Sequence, residues 1–180
     1  MQLSVDGYVA GPKGEMDWMS WGWGDDIKNC VSAFTEPVDT IIMGRKLAEG
    51  FIPHWAALRA NPETSDPFVK KMVETHKVVF SKTLKESAWE NTDLATGDLG
   101  EEVKKLKAMD GGDIITYGGA GFASELIKTG LIDEYRLFIN PAAIGNGMPI
   151  FKQLESKLNL KLVKATAFDV GIVELYYVPA

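Results

Sequence analysis

Short apolar runs that alternate with segments of helical periodicity are the feature that most constrains how this chain can fold. The apolar runs cover residues 40–43, 78–80, 114–117 and 135–139, are rich in branched side chains and are bounded by glycine, proline or polar residues, as buried strands are. Helical spacing is found at residues 25–34, 46–51, 67–75, 99–109 and 122–129, and Gly130 can cap the last helix. This alternation predicts an α/β fold with a mainly parallel sheet and crossover helices on both faces.

Both ends of the sequence contain further strand-like segments, which lie outside the alternation of strands and helices. Residues 159–168 and 172–178 are two long strand-like runs, separated by Asp169-Val170-Gly171, whose glycine can adopt the positive φ that a tight reversal requires. An antiparallel hairpin is therefore predicted at the C-terminal end, which makes the sheet mixed. Residues 2–5 read as the end of a strand whose beginning is missing. We therefore expect that the N-terminal end of this sequence is truncated or that its start position has been reassigned.

The bulk properties favour one globular domain over residues 1–180 and argue against several classes of function. The net charge is −6 and no run of Lys or Arg reaches four residues, whereas nucleic-acid binding needs a dense cationic surface. No apolar stretch reaches the roughly 18 to 20 residues of a membrane span. Cys30 is the only cysteine, and His54 and His76 have no metal-ligand spacing around them. We expect a cytoplasmic protein without a metal site or a membrane segment.

Two glycine-bearing turns follow predicted strands and precede predicted helices, which is where phosphate groups bind. In the first, Gly44 allows a close approach to the backbone, and Arg45 and Lys46 add positive charge at the start of a helix. The second, at residues 118–121, resembles a dinucleotide fingerprint but lacks its G-x-G-x-x-G spacing, which weakens a standard Rossmann interpretation. Its backbone donors can still surround a pyrophosphate. A purely structural role is the alternative for both turns.

A third turn, Ser81-Lys82-Thr83, directly follows the predicted strand at residues 78–80. Hydroxyl groups and an ammonium group at the carboxyl end of a strand suit an isolated phosphate, such as the 2′-phosphate of NADP. A common surface turn has the same composition, so this triplet is informative chiefly in combination with the two glycine turns.

With these pieces in this order, the sequence resembles the dihydrofolate-reductase-like superfamily. It is most similar to the branch related to the C-terminal reductase domain of the bifunctional riboflavin-biosynthesis deaminase/reductase, RibD. The matching pieces are residues 4–11, 16–18, 43–45, 79–83, 118–121, 131–134 and 141–147. The resemblance implies a three-layer α/β/α fold, NADPH bound across the strand ends, and a homodimer. The chain has no His/Cys/Cys zinc-deaminase motif, which argues against a dedicated riboflavin role.

The resemblance also implies a role for each turn in holding NADPH. Gly44, Arg45 and Lys46 would contact the adenosine phosphates, and Ser81 and Lys82 would select the 2′-phosphate. The pyrophosphate would be held by the last turn and the helix start after it, which comprise Gly118, Gly119, Ala120, Gly121, Phe122 and Ala123. Family members often carry a cis Gly-Gly peptide at that turn.

The segment at residues 6–23, rich in glycine and tryptophan, reads as a poor strand and a poor helix. Residues 9–18 resemble the mobile lid of the family, which would place Ala10 and Gly11 against the nicotinamide ring and exclude water during hydride transfer. Asp6 matches a position close to the active site of riboflavin-type reductases, which makes it a catalytic candidate. The alternative is that Asp6 only caps a glycine turn.

Substrate binding is assigned to the start of the helix after the lid. In dihydrofolate reductases an acidic residue there grips the pterin ring, and here Asp25 and Asp26 both occupy that region. We predict a catalytic role for Asp26 and a substrate-binding role for Asp25, although the spacing alone does not choose between them and acids also favour helix starts for capping. Trp18 is predicted to form part of an aromatic wall for a flat heterocyclic substrate.

The sequence therefore predicts an NADPH-dependent reductase. Its hydride acceptor would be a C=N or C=O carbon of a pteridine, a pyrimidine-ribose or a related small heterocycle. The alternative is a non-catalytic nucleotide-binding or structural protein that kept the fold and lost the chemistry.

Overall fold

The computed structural model describes residues 1–19, 22–63 and 66–180. The strands are β1 (Gln2–Ser4), β2 (Tyr8–Ala10), β3 (Val38–Gly44), β4 (His76–Phe80), β5 (Thr92–Ala95), β6 (Asp113–Thr116), β7 (Tyr135–Asn140), β8 (Met148–Pro149), β9 (Leu160–Ala167) and β10 (Val173–Pro179). The helices are α1 (Asp25–Thr35), α2 (Arg45–Ala60), α3 (Pro67–Glu74), α4 (Leu99–Lys107) and α5 (Ala120–Lys128). None of the helices in the described residues has both the length and the apolar character needed to cross a membrane.

The chain divides into two compact units, each built around its own sheet. The parallel-sheet unit comprises Phe34–Gly119, and the mixed-sheet unit comprises Met1–Ala33 together with Ala120–Ala180. The expectation of a single domain over residues 1–180 stays a prediction.

The parallel-sheet unit contains four parallel strands in the order β5-β4-β3-β6. Branched and sulfur-containing side chains fill its core, and Ile41, Met43 and Val79 are fully buried. In the register of the sheet, Gly44 is opposite Phe80, and Ile42 is opposite Thr116. The strands β3, β4 and β6 therefore end at one edge, where their turns become neighbours.

Helix α2 is longer than the sequence predicts. The helical spacing predicted an end at residue 51, but α2 continues through Pro53 to Ala60, although the residue before a proline is disfavoured in the α conformation. Trp55 explains the continuation, since its ring packs edge-on against Phe51 at 5.9 Å and against Phe68 at 5.6 Å. Tertiary packing thus outweighs the local cost of the proline.

The mixed-sheet unit has the strand order β1-β7-β10-β9. Strand β1 is parallel to β7, and the other pairs are antiparallel. The predicted C-terminal hairpin is confirmed: Gly171 has a φ of 87°, and the Phe168 amide donates to the Ile172 carbonyl at 2.9 Å. Together with the parallel sheet, this hairpin confirms the predicted α/β class.

The interpretation of residues 6–23 as neither strand nor helix is wrong at residues 8–10, which form β2. Strand β2 pairs antiparallel with β8, with Tyr8 opposite Pro149 and Ala10 opposite Met148. The strand partner lies far along the chain, so no local pattern in residues 6–23 could indicate the pairing. The predicted lid, residues 9–18, thus begins within a paired strand. The described residues of the loop that follows β2 are 11–19.

Candidate functional site

Three predicted ligand-binding turns meet at the carboxyl edge of the parallel sheet. They follow the adjacent strands β4, β3 and β6, and the register between these strands places their last residues side by side. Ligands of open α/β sheets collect at this edge of the sheet. The predicted residues that the parallel-sheet unit brings to the edge are Gly44, Arg45, Lys46, Ser81, Lys82, Gly118 and Gly119.

The first turn leads directly into α2. Gly44 is the N-cap of this helix in an extended conformation, with φ −77° and ψ 152°, and no side chain caps the helix. The first N–H groups of α2 therefore have no side-chain acceptor and present the positive end of the helix dipole. Arg45 forms an ion pair with Glu49 at 2.5 Å, and Lys46 is exposed.

The second turn uses Ser81 mainly to hold its own backbone. The side-chain oxygen of Ser81 accepts hydrogen bonds from the amides of Thr83, at 3.2 Å, and Leu84, at 3.0 Å. Ser81 is buried, whereas Lys82 is exposed and makes no ion pair with any residue that the structure describes. Lys82 is thus the free cation of this turn, and Ser81 orders the backbone around it.

The third turn contains a cis peptide between Gly118 and Gly119, as the resemblance implies. Gly118 has a φ of 116°, which favours glycine, and its amide donates to the Thr116 hydroxyl at 3.3 Å. Helix α5 begins at the next residue, Ala120, and continues through the predicted residues Gly121, Phe122 and Ala123. A Cβ added at Gly119 or Gly121 would meet no atom within 4 Å, so the backbone here is open to a ligand.

Tyr117, between β6 and this turn, was not among the predicted site residues. Its ring stacks on Phe51 with centroids 5.6 Å apart and an interplanar angle of 22°. Its hydroxyl is buried and has no hydrogen-bond partner among the described residues, and burial raises the pKa of Tyr117 above its ordinary value. The sequence shows only an aromatic residue at a strand end. Only the structure shows that its hydroxyl has no hydrogen-bond partner among the described residues.

Asp6 lies in the mixed-sheet unit and is tied to the loop after β7. Its carboxylate accepts hydrogen bonds from the Ile144 amide, at 3.1 Å, and from the Gly145 amide, at 2.7 Å. A hydrogen bond with the Ser4 side chain, together with these two amides, lowers the pKa of Asp6. The carboxylate is therefore ionised at neutral pH, and the geometry favours a structural role. The predicted catalytic role of Asp6 stays a prediction.

Asp26 connects the start of α1 to the C-terminal hairpin. Its carboxylate accepts hydrogen bonds from the amides of Asp169 and Ile27, both at 2.8 Å. The bond from Asp169 is the main cause of a lowered pKa for Asp26. Asp25 is also exposed, but it does not make this connection. Of the two acids, Asp25 is thus the one whose carboxylate is free of the hairpin, and both functional assignments stay predictions.

We expect Asp26→Asn to reduce the acid sensitivity of the protein. A carboxyl group whose pKa is lower in the folded state stabilises the fold above its unfolded pKa of about 4, and this contribution is lost as the pH falls through the folded pKa. The variant should therefore have a lower Tm at pH 7 and a smaller fall in Tm between pH 7 and pH 3. Thermal unfolding at several pH values measures both, with Asp25→Asn as the matched control. An unchanged pH profile for Asp26→Asn would contradict this role.

Ala10, Gly11 and Trp18, which are predicted to contact the nicotinamide and the substrate, lie within the predicted lid at residues 9–18. Ala10 and Gly11 are buried, and the Gly11 amide donates to the Glu15 carbonyl at 2.8 Å, which closes a turn. The indole nitrogen of Trp18 is buried without a hydrogen-bond partner among the described residues. The structure therefore orders this segment, and its role against a ligand stays a prediction.

An open groove lies at the opposite, amino edge of the parallel sheet. One of its two lysines is already engaged, because the Lys71 ammonium donates to the carbonyls of Glu36, at 2.9 Å, and Val38, at 3.1 Å. Among the side chains that the structure describes, no three His, Cys, Asp or Glu residues are grouped as metal ligands. The groove is lined by Asp39, Pro67, Lys70, Lys71, Glu74, Thr75, His76 and Asn91. None of these residues belongs to the predicted turns.

Solved structures with the same fold were found by comparison. A candidate riboflavin biosynthesis protein from Shewanella sp. PV-4 matches with a TM-score of 0.78 and 23% identity, covering 100% of this chain and 96% of that chain. A deaminase/5-amino-6-(5-phosphoribosylamino)uracil reductase from Thermotoga maritima matches with a TM-score of 0.70 and 16% identity, covering 99% of this chain and 55% of that chain. Dihydrofolate reductase from Enterococcus faecalis, complexed with NADP(H), matches with a TM-score of 0.63 and 16% identity over 99% and 92%. These likenesses confirm the dihydrofolate-reductase-like fold.

Sequence comparison identifies the family. The uncharacterized protein YyaP of Bacillus subtilis (strain 168) is 35% identical over 181 residues, which cover 98% of this chain and 91% of that protein. A family model described as the RibD C-terminal domain matches residues 1–174. The predicted resemblance is therefore confirmed: this chain belongs to the RibD C-terminal domain family.

Proposed function

We propose that this protein is an NADPH-dependent reductase. It would transfer a hydride to a C=N or C=O carbon of a pteridine, of a pyrimidine-ribose of the 5-amino-6-(5-phosphoribosylamino)uracil type, or of a related heterocycle. The observation that carries the proposal is the meeting of three phosphate-suited turns at one edge of the parallel sheet. The reductase names of the structural relatives from Thermotoga maritima and Enterococcus faecalis support the same class of reaction.

The residues at this edge fit a phosphorylated dinucleotide. The uncapped start of α2 offers N–H donors, and a Cβ added at Gly119 would meet no atom within 4 Å, so no neighbouring side chain covers the backbone where a phosphate would approach. Arg45 and Lys82 place positive charge at the ends of β3 and β4, in a chain whose net charge is −6. A local group of cations in an acidic protein is what a small anionic ligand requires.

When bound, NADPH supplies the hydride, and the chain supplies binding and orientation. Gly44 and the Gly118–Gly119 turn would hold the phosphates, and would thereby orient the nicotinamide toward the acceptor carbon. Asp6 and Asp26, whose pKa values are lowered, are ionised at neutral pH. They therefore suit accepting a hydrogen bond better than donating a proton to the reduced product.

Titration with NADPH and NADH tests the proposal. We expect NADPH to bind with a Kd in the low micromolar range or below, and to be oxidised when a pteridine or ribosylaminopyrimidine acceptor is added. If neither cofactor binds, the proposal is wrong. If NADPH binds and no acceptor in a broad panel supports its oxidation, the non-catalytic alternative is favoured. Sedimentation of the same samples would measure whether the chain forms the expected homodimer.

A further inference from the structure

The Arg45 guanidinium has an acidic partner within its own helix. Its Nη1 atom lies 2.5 Å from Oε1 of Glu49, which is one turn further along α2. Side chains in a helix lean toward its N-terminus, so the Glu49 carboxylate approaches the first turn, which Arg45 begins. A negative charge therefore engages one of the cations at the edge where the three turns meet.

This ion pair contributes little to the helix. Acidic residues stabilise a helix mainly as N-caps or in its first turn, but α2 has no acid in its first turn and no side-chain cap. Glu49 is the only acidic residue among the sixteen of α2, all of which the structure describes. The two side chains are 35% and 50% exposed, and exposed ion pairs of this kind add little stability. The contact can therefore be broken at small cost.

A phosphate monoester is a stronger partner for Arg45 than the Glu49 carboxylate is. It carries more negative charge, and it can accept two parallel N–H bonds from a guanidinium. The uncapped N–H groups at the start of α2 can bind the same anion. In such an exchange Glu49 would lose its partner and would lie near a second anion, which repels it. Both consequences oppose the binding of a phosphate at this turn.

We propose that Glu49 is an internal competitor for NADPH. Its carboxylate holds the Arg45 guanidinium and gives up this contact when a phosphate of the adenosine half binds. The inference rests on the proposed function, in which Arg45 contacts the adenosine phosphates, and it adds a residue that sets the affinity of that site. Removing the charge of Glu49 would accordingly strengthen the binding of NADPH.

The variants Glu49→Gln and Glu49→Ala distinguish competition from positioning. Glutamine keeps an oxygen that can accept a hydrogen bond from Arg45, whereas alanine removes both the charge and the contact. We expect both variants to lower the Kd for NADPH about 3- to 5-fold, or about 0.7–0.9 kcal/mol, as the loss of an exposed ion pair allows. The Kd for adenosine 2′,5′-bisphosphate, which lacks the nicotinamide half, should fall by the same factor. Isothermal titration measures both ligands.

Glu74→Gln is the matched control for the loss of one negative charge. Glu74 also forms an exposed i,i+4 pair, with Lys70 at 3.9 Å, but it lies on α3 and lines the groove at the amino edge of the sheet. Its substitution should leave both Kd values unchanged. An equal gain in affinity for Glu74→Gln would assign the effect to net charge and overturn the inference.

Three other results would overturn the inference while the proposed function stands. These are an unchanged or higher Kd for NADPH in Glu49→Gln, a higher Kd in Glu49→Ala, which would mean that Glu49 positions Arg45 for the phosphate, and a gain for NADPH without a gain for adenosine 2′,5′-bisphosphate. Failure of the unaltered protein to bind NADPH would overturn the proposed function as well.

Discussion

Gly147→Ala is expected to lower the free energy of unfolding by about 2–3 kcal/mol, which is at the upper end of the cost of overpacking. A Cβ at Gly147 would overlap the carbonyl oxygen of Ala10 and lie 2.9 Å from the Cβ and Cγ atoms of Tyr8. Backbone atoms in a paired strand cannot move aside cheaply. The pairing of β2 with β8 should therefore loosen, and with it the loop at residues 11–19 that begins at β2. Urea unfolding measures the loss of stability.

Trypsin gives a local measurement of the same effect, because Lys13 is exposed within that loop. Cleavage after Lys13 should be faster in Gly147→Ala than in the unaltered protein. Gly50→Ala is the control: Gly50 lies within α2, where an added Cβ would meet no atom within 4 Å. Alanine there should stabilise the helix by about 0.5–1 kcal/mol. Equal stability of the Gly147→Ala and Gly50→Ala variants would show that the close contact of Gly147 with Ala10 does not constrain the loop.

Much of the fold was predictable because its signals are local. A strand buried on both faces needs a short run of branched residues, and the sequence shows such runs within β3, β4, β6 and β7. Gly171 identified the hairpin, because a tight reversal requires a residue that accepts a positive φ. The C-cap at Gly130 is confirmed on the same ground, with a φ of 70°.

The elements that could not be predicted depend on distant partners. Strand β5 contains only four residues, of which Asp93 is exposed, and it is defined by its pairing with β4. Strand β2 is defined in the same way by β8. The passage of α2 through Pro53 depends on the packing of Trp55. In each case the local sequence favours a loop or a helix end, and a tertiary contact reverses that preference.

In the candidate site, too, the locally encoded features were predictable and the long-range contacts were not. The three turns were predictable, since each is a short pattern at a strand end, and parallel strands bring their carboxyl ends to one edge. The partners of the polar side chains were not predictable. Asp6 accepts hydrogen bonds from residues 144–145, Asp26 accepts one from Asp169, and the Tyr117 hydroxyl makes no hydrogen bond with the described residues. These partners determine whether a group is engaged in the fold or available to a ligand.

Lys82→Ala is expected to raise the Kd for NADPH tenfold or more and to change the Kd for NADH less than about threefold. The 2′-phosphate is the only group that NADPH has and NADH lacks, and a charge-assisted hydrogen bond to it contributes about 1.5–3 kcal/mol. Lys82 is exposed and has no acidic partner among the described residues, so its full charge is available to the phosphate. Arg45 is paired with Glu49 at 2.5 Å. We therefore expect Arg45→Ala also to raise the Kd for NADPH more than the Kd for NADH, but by a smaller factor than Lys82→Ala does.

Lys70→Ala is the control for the loss of one positive charge. Lys70 is an exposed lysine of α3, in the same unit, and it lines the groove at the amino edge of the sheet. Its removal should leave the affinities for NADPH and NADH nearly unchanged, because a charge at the opposite edge is largely screened at physiological ionic strength. If Lys82→Ala weakens both cofactors equally, the turn after β4 does not hold the 2′-phosphate. If Lys70→Ala has the same effect as Lys82→Ala, net charge and not position determines cofactor choice.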